Sequence, residues 1–195
     1  LERYVGVRWL FPGEDWEHVP QKDVLLVPKE DIREEPDTRY RVMNWGGDGT
    51  EHSQIRREWC LRNRIQSPHQ LQLGHNLHSL FPPEKYGESN PEFYTGGQPP
   101  APGETTRWQQ CFSEAGTVDA AVNEILAYFA ARPDVDNISL GVNDIGGYCE
   151  TDPSHPAYPG KTNSIGLVDM SDIYYGWVNQ VVDRVLEVYP DKWFG

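Results

Sequence analysis

The sequence alternates between short strand-like runs and longer helical runs, and this alternation constrains the fold more than any other feature. Strands are predicted at 39–45, 71–73 and 137–142, from the two-residue period or the short apolar length of each run. A polar loop and then a helical pattern follow each strand. Repetition of this kind predicts parallel strands joined by right-handed crossovers. It leaves two α/β architectures open, a doubly wound sheet and part of an eight-stranded (β/α)8 (TIM-like) barrel.

Three helices are predicted between these strands and after the last one. They cover 50–65, 117–132 and 171–189, and a Pro near each end stops the helix. The second and third helices repeat apolar residues at the helical period, which predicts one buried face on each. These faces comprise Val118, Ala121, Val122, Ile125, Leu126 and Phe129 in the second helix, and Ile173, Trp177, Val178, Val181, Val185 and Leu186 in the third.

The first forty residues differ in character from the rest. Residues 23–28 form the only clear strand pattern there, and an acidic extended segment follows it. Residues 1–6 have the pattern of a last helical turn that Gly6 ends. We therefore assign 1–36 to the end of one small α/β module with its linker, and 37–195 to a second domain. We also expect the chain to be a piece of a longer protein.

Composition excludes several classes of function. The 195 residues include 30 acidic and 17 basic side chains, a formal net charge of −13 that disfavours nucleic acid as a partner. No apolar run approaches the ~20 residues that a membrane-spanning helix needs. The run Gly46-Gly47-Asp48-Gly49 lacks the spacing of a phosphate-binding loop, so nucleotide binding is disfavoured and no cofactor is predicted.

The cysteines predict neither a disulfide framework nor a metal site. Cys60, Cys111 and Cys149 are odd in number and widely spaced. Cys111 and Cys149 are expected to be packed thiols, because neither lies in a motif that would lower its pKa.

Polar and aromatic residues follow each predicted strand, where ligands bind in parallel α/β folds. A sugar suits this set, because its C–H face stacks on an aromatic ring while its hydroxyls need donors and acceptors. We therefore predict carbohydrate as the partner and Trp45 as the stacking platform. The substrate-binding candidates after the three strands are Asn44, Trp45 and Asp48, then His75, Asn76 and His78, and then Asn143.

Two carboxylates are the catalytic candidates. Asp144 directly follows the third strand, where it would be held rigidly, although an Asp in that position can also simply cap a turn. Glu150 lies further along the same loop, which we expect to be flexible. His75 and His78 fit a hydrogen-bonded structural pair better than a metal site, so no metal is predicted.

Two short motifs resemble α-glucuronidase-like glycoside hydrolases. Gly6-Val7-Arg8-Trp9-Leu10-Phe11-Pro12-Gly13-Glu14 is similar to the end of the N-terminal module of those enzymes, and Arg41-Val42-Met43-Asn44-Trp45 to their first barrel strand. The second motif adds Arg41 to the substrate-binding candidates.

The rest of the chain resembles a bacterial domain-of-unknown-function family of glycoside-hydrolase-like barrels. The similar pieces are Trp59 to Arg64, Gly74-His75, Asn90 to Tyr94, Gln110 to Ser113, Ser139 to Asp144, Gly147 to Glu150 and Tyr189 to Lys192. The resemblance implies a (β/α)8 barrel of which the first three βα units are present, and it suggests a secreted or periplasmic protein.

The leading hypothesis is a fragment of a glycoside hydrolase that acts on a complex or acidic polysaccharide. A noncatalytic carbohydrate-binding barrel and a structural module of a larger assembly stay open as alternatives.

Overall fold

The computed structural model describes residues 2–38, 41, 43, 50–65 and 71–195, apart from the side chains of 50–53. Two compact units divide the chain, Leu1–Gln70 and Leu71–Gly195. This division falls later in the chain than the boundary expected after residue 36. Most of the predicted first strand, 39–45, lies outside the described residues.

The first unit contains a short helix, a two-stranded ribbon and a longer helix. Helix α1 (Glu2–Val5) ends at Gly6, whose φ of 86° is the left-handed conformation that glycine adopts at helix ends, as predicted. Strands β1 (Arg8–Trp9) and β2 (Glu17–His18) pair antiparallel. Helix α2 (Thr50–Arg62) confirms the first predicted helix. Its Trp59 indole N–H donates to the Trp9 carbonyl oxygen.

The strand predicted at 23–28 is wrong. The structure has no strand at these residues, and the apolar side chains of Val24, Leu25, Leu26 and Val27 are exposed. A run with strand propensity becomes a strand only where a second strand pairs with it and its side chains pack.

The second unit contains most of the regular structure. Its elements are α3 (Leu77–Leu80), α4 (Pro83–Tyr86), α5 (Thr117–Ala131), β3 (Asn137–Ile138), α6 (Ser171–Leu186) and β4 (Trp193–Phe194), with short 3-10 turns at Pro91–Phe93, Thr95–Gly97 and Cys149–Thr151. Helices α5 and α6 confirm the second and third predicted helices. None of the helices in the described part of the chain is long and apolar enough to cross a membrane.

The core of the second unit forms between α5 and α6, as their apolar stripes predicted. Ile125 and Phe129 of α5 and Trp177 and Val181 of α6 are buried. The segment 81–106, which is rich in Pro and Gly and therefore reads as a loop in the sequence, also contributes to this core, because Phe81, Phe93 and Tyr94 within it are fully or almost fully buried. This loop is therefore packed structure.

Three extended segments of the second unit, at 71–75, 137–142 (the β3 segment) and 193–195, lie side by side and run parallel. Strand β3 pairs with β4 in register Asn137 to Trp193. On the other side of β3, a parallel bridge joins His75 to Gly141. Gly141 is required there, because a Cβ atom would lie 2.6 Å from the Gly74 carbonyl oxygen. The order is that of successive strands in a βα repeat, whereas the partial (β/α)8 barrel itself stays a prediction.

Candidate functional site

His75 and Asp144 meet at the carboxyl edge of the parallel segments. The His75 Nε2 atom lies 4.0 Å from the Asp144 Oδ2 atom, and their side chains are 56% and 82% exposed. The other ring nitrogen of His75, Nδ1, is hydrogen bonded to the Val142 carbonyl oxygen, which orients the imidazole. Two of the residues predicted from the sequence, His75 and Asp144, are therefore close together and exposed to solvent in the fold.

The other candidates near these two residues in the chain are Asn76, His78 and Asn143, and the two asparagines hydrogen bond to the backbone. The Asn76 side-chain amide donates to the Ser139 carbonyl oxygen, and the buried Asn143 amide donates to the Trp108 carbonyl oxygen. The Nδ1 atom of His78 is buried with no hydrogen-bond partner. His75 and His78 therefore have separate environments, rather than forming the hydrogen-bonded pair that we expected as their structural role.

Glu150 differs from the expectation of a flexible loop position. Its side chain is completely buried in the 3-10 turn Cys149–Thr151. One carboxylate oxygen, Oε1, accepts hydrogen bonds from the Ser113 backbone N–H and hydroxyl, at 2.7 and 2.8 Å. Burial and these two bonds support a structural role for Glu150.

Cys111 and Cys149 form a disulfide, so the expectation of two packed thiols is wrong. Their Cα atoms are 5.2 Å apart and 38 positions separate them in the sequence. The third cysteine, Cys60, is free and belongs to the first unit. The odd number of cysteines argued against a disulfide only because it included Cys60, which takes no part in the bond. The disulfide fixes the end of the loop that begins at Asp144.

The remaining candidates come from the first predicted strand and the loop that follows it. Asn44, Trp45 and Asp48 lie outside the described residues. Arg41 belongs to the first unit, where its guanidinium donates to the carbonyl oxygens of Thr38 and Arg64.

A cavity of about 560 Å³ lies beside the carboxyl end of the β3 segment. This volume is in the range typical of small-molecule sites. The residues that line the cavity come from two segments of the second unit and from the start of α6, namely Val142, Gly146, Gly147, Tyr148 and Thr151, then Asn163, Leu167, Val168, Asp169 and Met170, and then Ser171, Tyr174 and Tyr175.

Sequence reasoning missed most of this cavity. Its second half comes from the residues just before α6, which have no strand or motif to mark them. Tyr174 and Tyr175 adjoin Ile173 in the apolar pattern of α6, so nothing set them apart from core residues. The spacing does place Tyr175, two residues before Trp177, on the opposite side of the helix, whereas Tyr174, three residues before Trp177, shares its face.

Two tyrosines of the cavity, Tyr148 and Tyr174, are held neutral, whereas its aspartate is held ionised. Burial raises the pKa of the Tyr148 and Tyr174 phenols, and the Tyr174 hydroxyl donates to the Leu140 carbonyl oxygen. Hydrogen bonds from the Ser171 backbone N–H and hydroxyl lower the pKa of Asp169, and the charge of Lys161 adds to this effect. The cavity therefore combines neutral aromatic rings with one fixed negative charge.

The side chains of the described residues were also compared with the requirements of a metal site. Among them, no group of three or more His, Cys, Asp and Glu side chains is arranged to hold a metal ion.

The carboxyl edge of the parallel segments and the adjoining cavity form a candidate ligand site, at the position where α/β folds bind ligands. The chain belongs to the family described as Domain of unknown function (DUF4838), which matches residues 11–195. No curated protein and no solved structure matches the chain.

Proposed function

We propose that this domain binds a saccharide at the cavity beside the carboxyl edge, as part of a glycoside-hydrolase-like (β/α)8 barrel. The observation that carries the proposal is the lining of the cavity, where Tyr148, Tyr174 and Tyr175 accompany Asn163 and Asp169. Aromatic faces take up the C–H surface of a sugar ring, and amide and carboxylate groups bond its hydroxyls.

Tyr175 is the residue of choice for a binding test, because its side chain is 60% exposed and also lines the cavity. Replacing it by Ala removes a ring that a sugar can stack on. We expect Tyr175→Ala to weaken saccharide binding about fivefold, the equivalent of about 1 kcal/mol for one aromatic contact. Affinity is measured by calorimetry with glycans first identified on an array.

Tyr128→Ala is the matched control. Tyr128 is a partly buried tyrosine of α5 that accepts a hydrogen bond from the Gln72 side chain, at the beginning of the parallel segments. Its loss should leave the affinity unchanged. Absence of binding to every glycan on the array would refute the proposed function. Equal losses of affinity in both variants would show that the saccharide does not bind at the cavity.

Glycoside hydrolysis is a second candidate, favoured by the adjacent Asp144 and His75. Hydrolysis requires two carboxyl groups, about 5–5.5 Å apart for retention or 6.5–9.5 Å apart for inversion of the anomeric carbon. Asp144 is exposed and supplies one of them in this proposal, with His75 orienting it. Glu150 is fully buried, so it is poorly placed to act as the second.

The Asp144→Asn variant tests the catalytic role. We expect release of reducing ends from a competent glycan to fall by at least a hundredfold, since one of two essential carboxyl groups is lost. Binding to the same glycan should survive. Unchanged turnover in the variant would exclude Asp144 from catalysis, and binding without any turnover in the parent protein would favour a noncatalytic carbohydrate-binding barrel.

The α-glucuronidase-like origin of residues 1–36 and export from the cell belong to the same proposal. The Cys111–Cys149 disulfide supports export, because such bonds persist in oxidising compartments. Recovery of the native protein from the periplasm or medium with this bond formed would agree with it, and a cytoplasmic location would contradict it.

A further inference from the structure

The charge around the cavity has one sign. Of the residues that the structure describes in its lining, Asp169 alone carries a formal charge at neutral pH. The polar groups beside it, Asn163, Ser171 and Thr151, are neutral. The side chain of Asp169 is 23% exposed, so its charge acts on a bound molecule with only part of the screening that open solvent gives.

The nearest cation does not reverse this sign. Lys161 Nζ lies 3.6 Å from Asp169 Oδ2, but it lies closer, at 2.5 Å, to Asp172 Oδ2. Lys161 therefore faces two carboxylates, and the three groups together retain one negative charge. An anionic ligand that enters the cavity therefore meets no unneutralised positive charge in this group of three side chains.

We propose that this cavity selects uncharged saccharides and discriminates against uronic acids. The inference rests on the proposed saccharide binding and adds the substrate class to it. A uronic acid differs from the corresponding hexose by a carboxylate at C6, and this carboxylate would meet the negative charge of Asp169. A neutral hexose offers a hydroxyl at C6, which can donate a hydrogen bond to the same carboxylate. The selection opposes an acidic polysaccharide as the substrate.

The test compares oligosaccharides that differ only at C6. The probes are glucose oligomers against glucuronate oligomers, and galactose oligomers against galacturonate oligomers, of equal length and linkage. Affinities are measured by calorimetry at low ionic strength, where charge effects are largest. We expect the neutral member of at least one pair to bind about fivefold more tightly, since a like charge at ~4 Å in water has an effect of about that size.

Two variants shift this preference in opposite directions. Asp169→Asn removes the negative charge and should abolish the preference, while its side-chain oxygen can still accept the Ser171 N–H bond. Lys161→Gln leaves two carboxylates without their cation and should increase the preference. Asp134→Asn is the charge-matched control, since Asp134 is exposed and precedes β3, away from its carboxyl end. It should leave the preference unchanged.

The outcomes separate the two proposals. Tighter binding of the uronate oligomers, or equal binding within each pair, would overturn the selection and leave saccharide binding intact. An unchanged or smaller preference in Lys161→Gln would overturn it as well, because the negative charge at the cavity would then not govern the choice. Absence of binding by either member of both pairs would count against saccharide binding itself. If Asp169→Asn fails to fold, the increase in Lys161→Gln still decides the matter.

Discussion

Removing the Cys111–Cys149 disulfide is expected to lower the stability of the second unit substantially. The double variant Cys111→Ala, Cys149→Ala opens a covalent loop whose ends are 38 positions apart. The relation between loop length and chain entropy gives a loss of about 4 kcal/mol at 25 °C for a loop of this size. That amount is a large share of the ~5–15 kcal/mol by which small domains are stable.

Urea unfolding followed by tryptophan fluorescence measures this loss. With a denaturant slope of about 2 kcal/mol per molar, the midpoint should fall by about 2 M. Cys60→Ala provides the control, because Cys60 is a free thiol of the first unit and its loss removes no cross-link. A reducing agent should reproduce the effect in the parent protein and have none in the double variant.

Two results would refute the argument. Peptide mapping without reduction would show separate Cys111 and Cys149 peptides if the bond does not form. An unchanged urea midpoint in the double variant would show that the closed loop contributes no stability. The same experiment bears on the site, because the loop that begins at Asp144 ends at Cys149. We expect saccharide affinity to fall in the double variant even under conditions where it is still folded.

Three further predictions concern the second unit. Trp177→Ala should cost about 3–5 kcal/mol of unfolding free energy by urea denaturation, since this ring is buried, whereas Tyr175→Ala, two residues earlier and exposed, should cost under about 0.5 kcal/mol. Glu150→Ala should cost about 1–3 kcal/mol, because it removes the two hydrogen bonds that the buried carboxylate accepts from Ser113, and the exposed Glu88→Ala should have little effect. Hydrogen bonds lower the pKa of Glu104 in the folded protein below its ordinary 4.5, so its stabilising effect is present above that pH and is lost as the pH falls through the folded value. Glu104→Gln should therefore make the melting temperature fall less steeply between about pH 5 and pH 3.

The helices could be predicted because their pattern is local and strong. The apolar residues of α5 and α6 recur at the helical period, and the buried Ile125, Phe129, Trp177 and Val181 are members of those stripes. The prediction of a strand at 23–28 was wrong because strand formation depends on a partner elsewhere in the chain rather than on a local pattern. Its apolar residues contain no information on whether a partner strand is available, and the structure leaves Leu26 80% exposed.

The candidate site was predictable in its first half only. His75 and Asp144 come together because each follows a parallel segment, and this relation can be read from strand order. The cavity depends on the chain that returns to the same edge before α6, where Asn163 and Asp169 are placed by turns without a recognisable pattern. The disulfide likewise joins positions that only the folded chain brings to a Cα separation of 5.2 Å.

Asp144 and Glu150 show how tertiary links decide the role of a carboxylate. Both belong to one polar loop, yet Asp144 is 82% exposed beside His75, whereas Glu150 is completely buried. Glu150 directly follows Cys149, and the disulfide to Cys111 brings it within hydrogen-bond distance of Ser113. The loop is therefore exposed at its beginning, at Asp144, and fixed to the core at its end, at Cys149. For the proposed hydrolysis, the partner carboxylate of Asp144 should therefore be sought among residues that reach the carboxyl edge from other segments, as Asp169 does at the cavity, rather than further along the same loop.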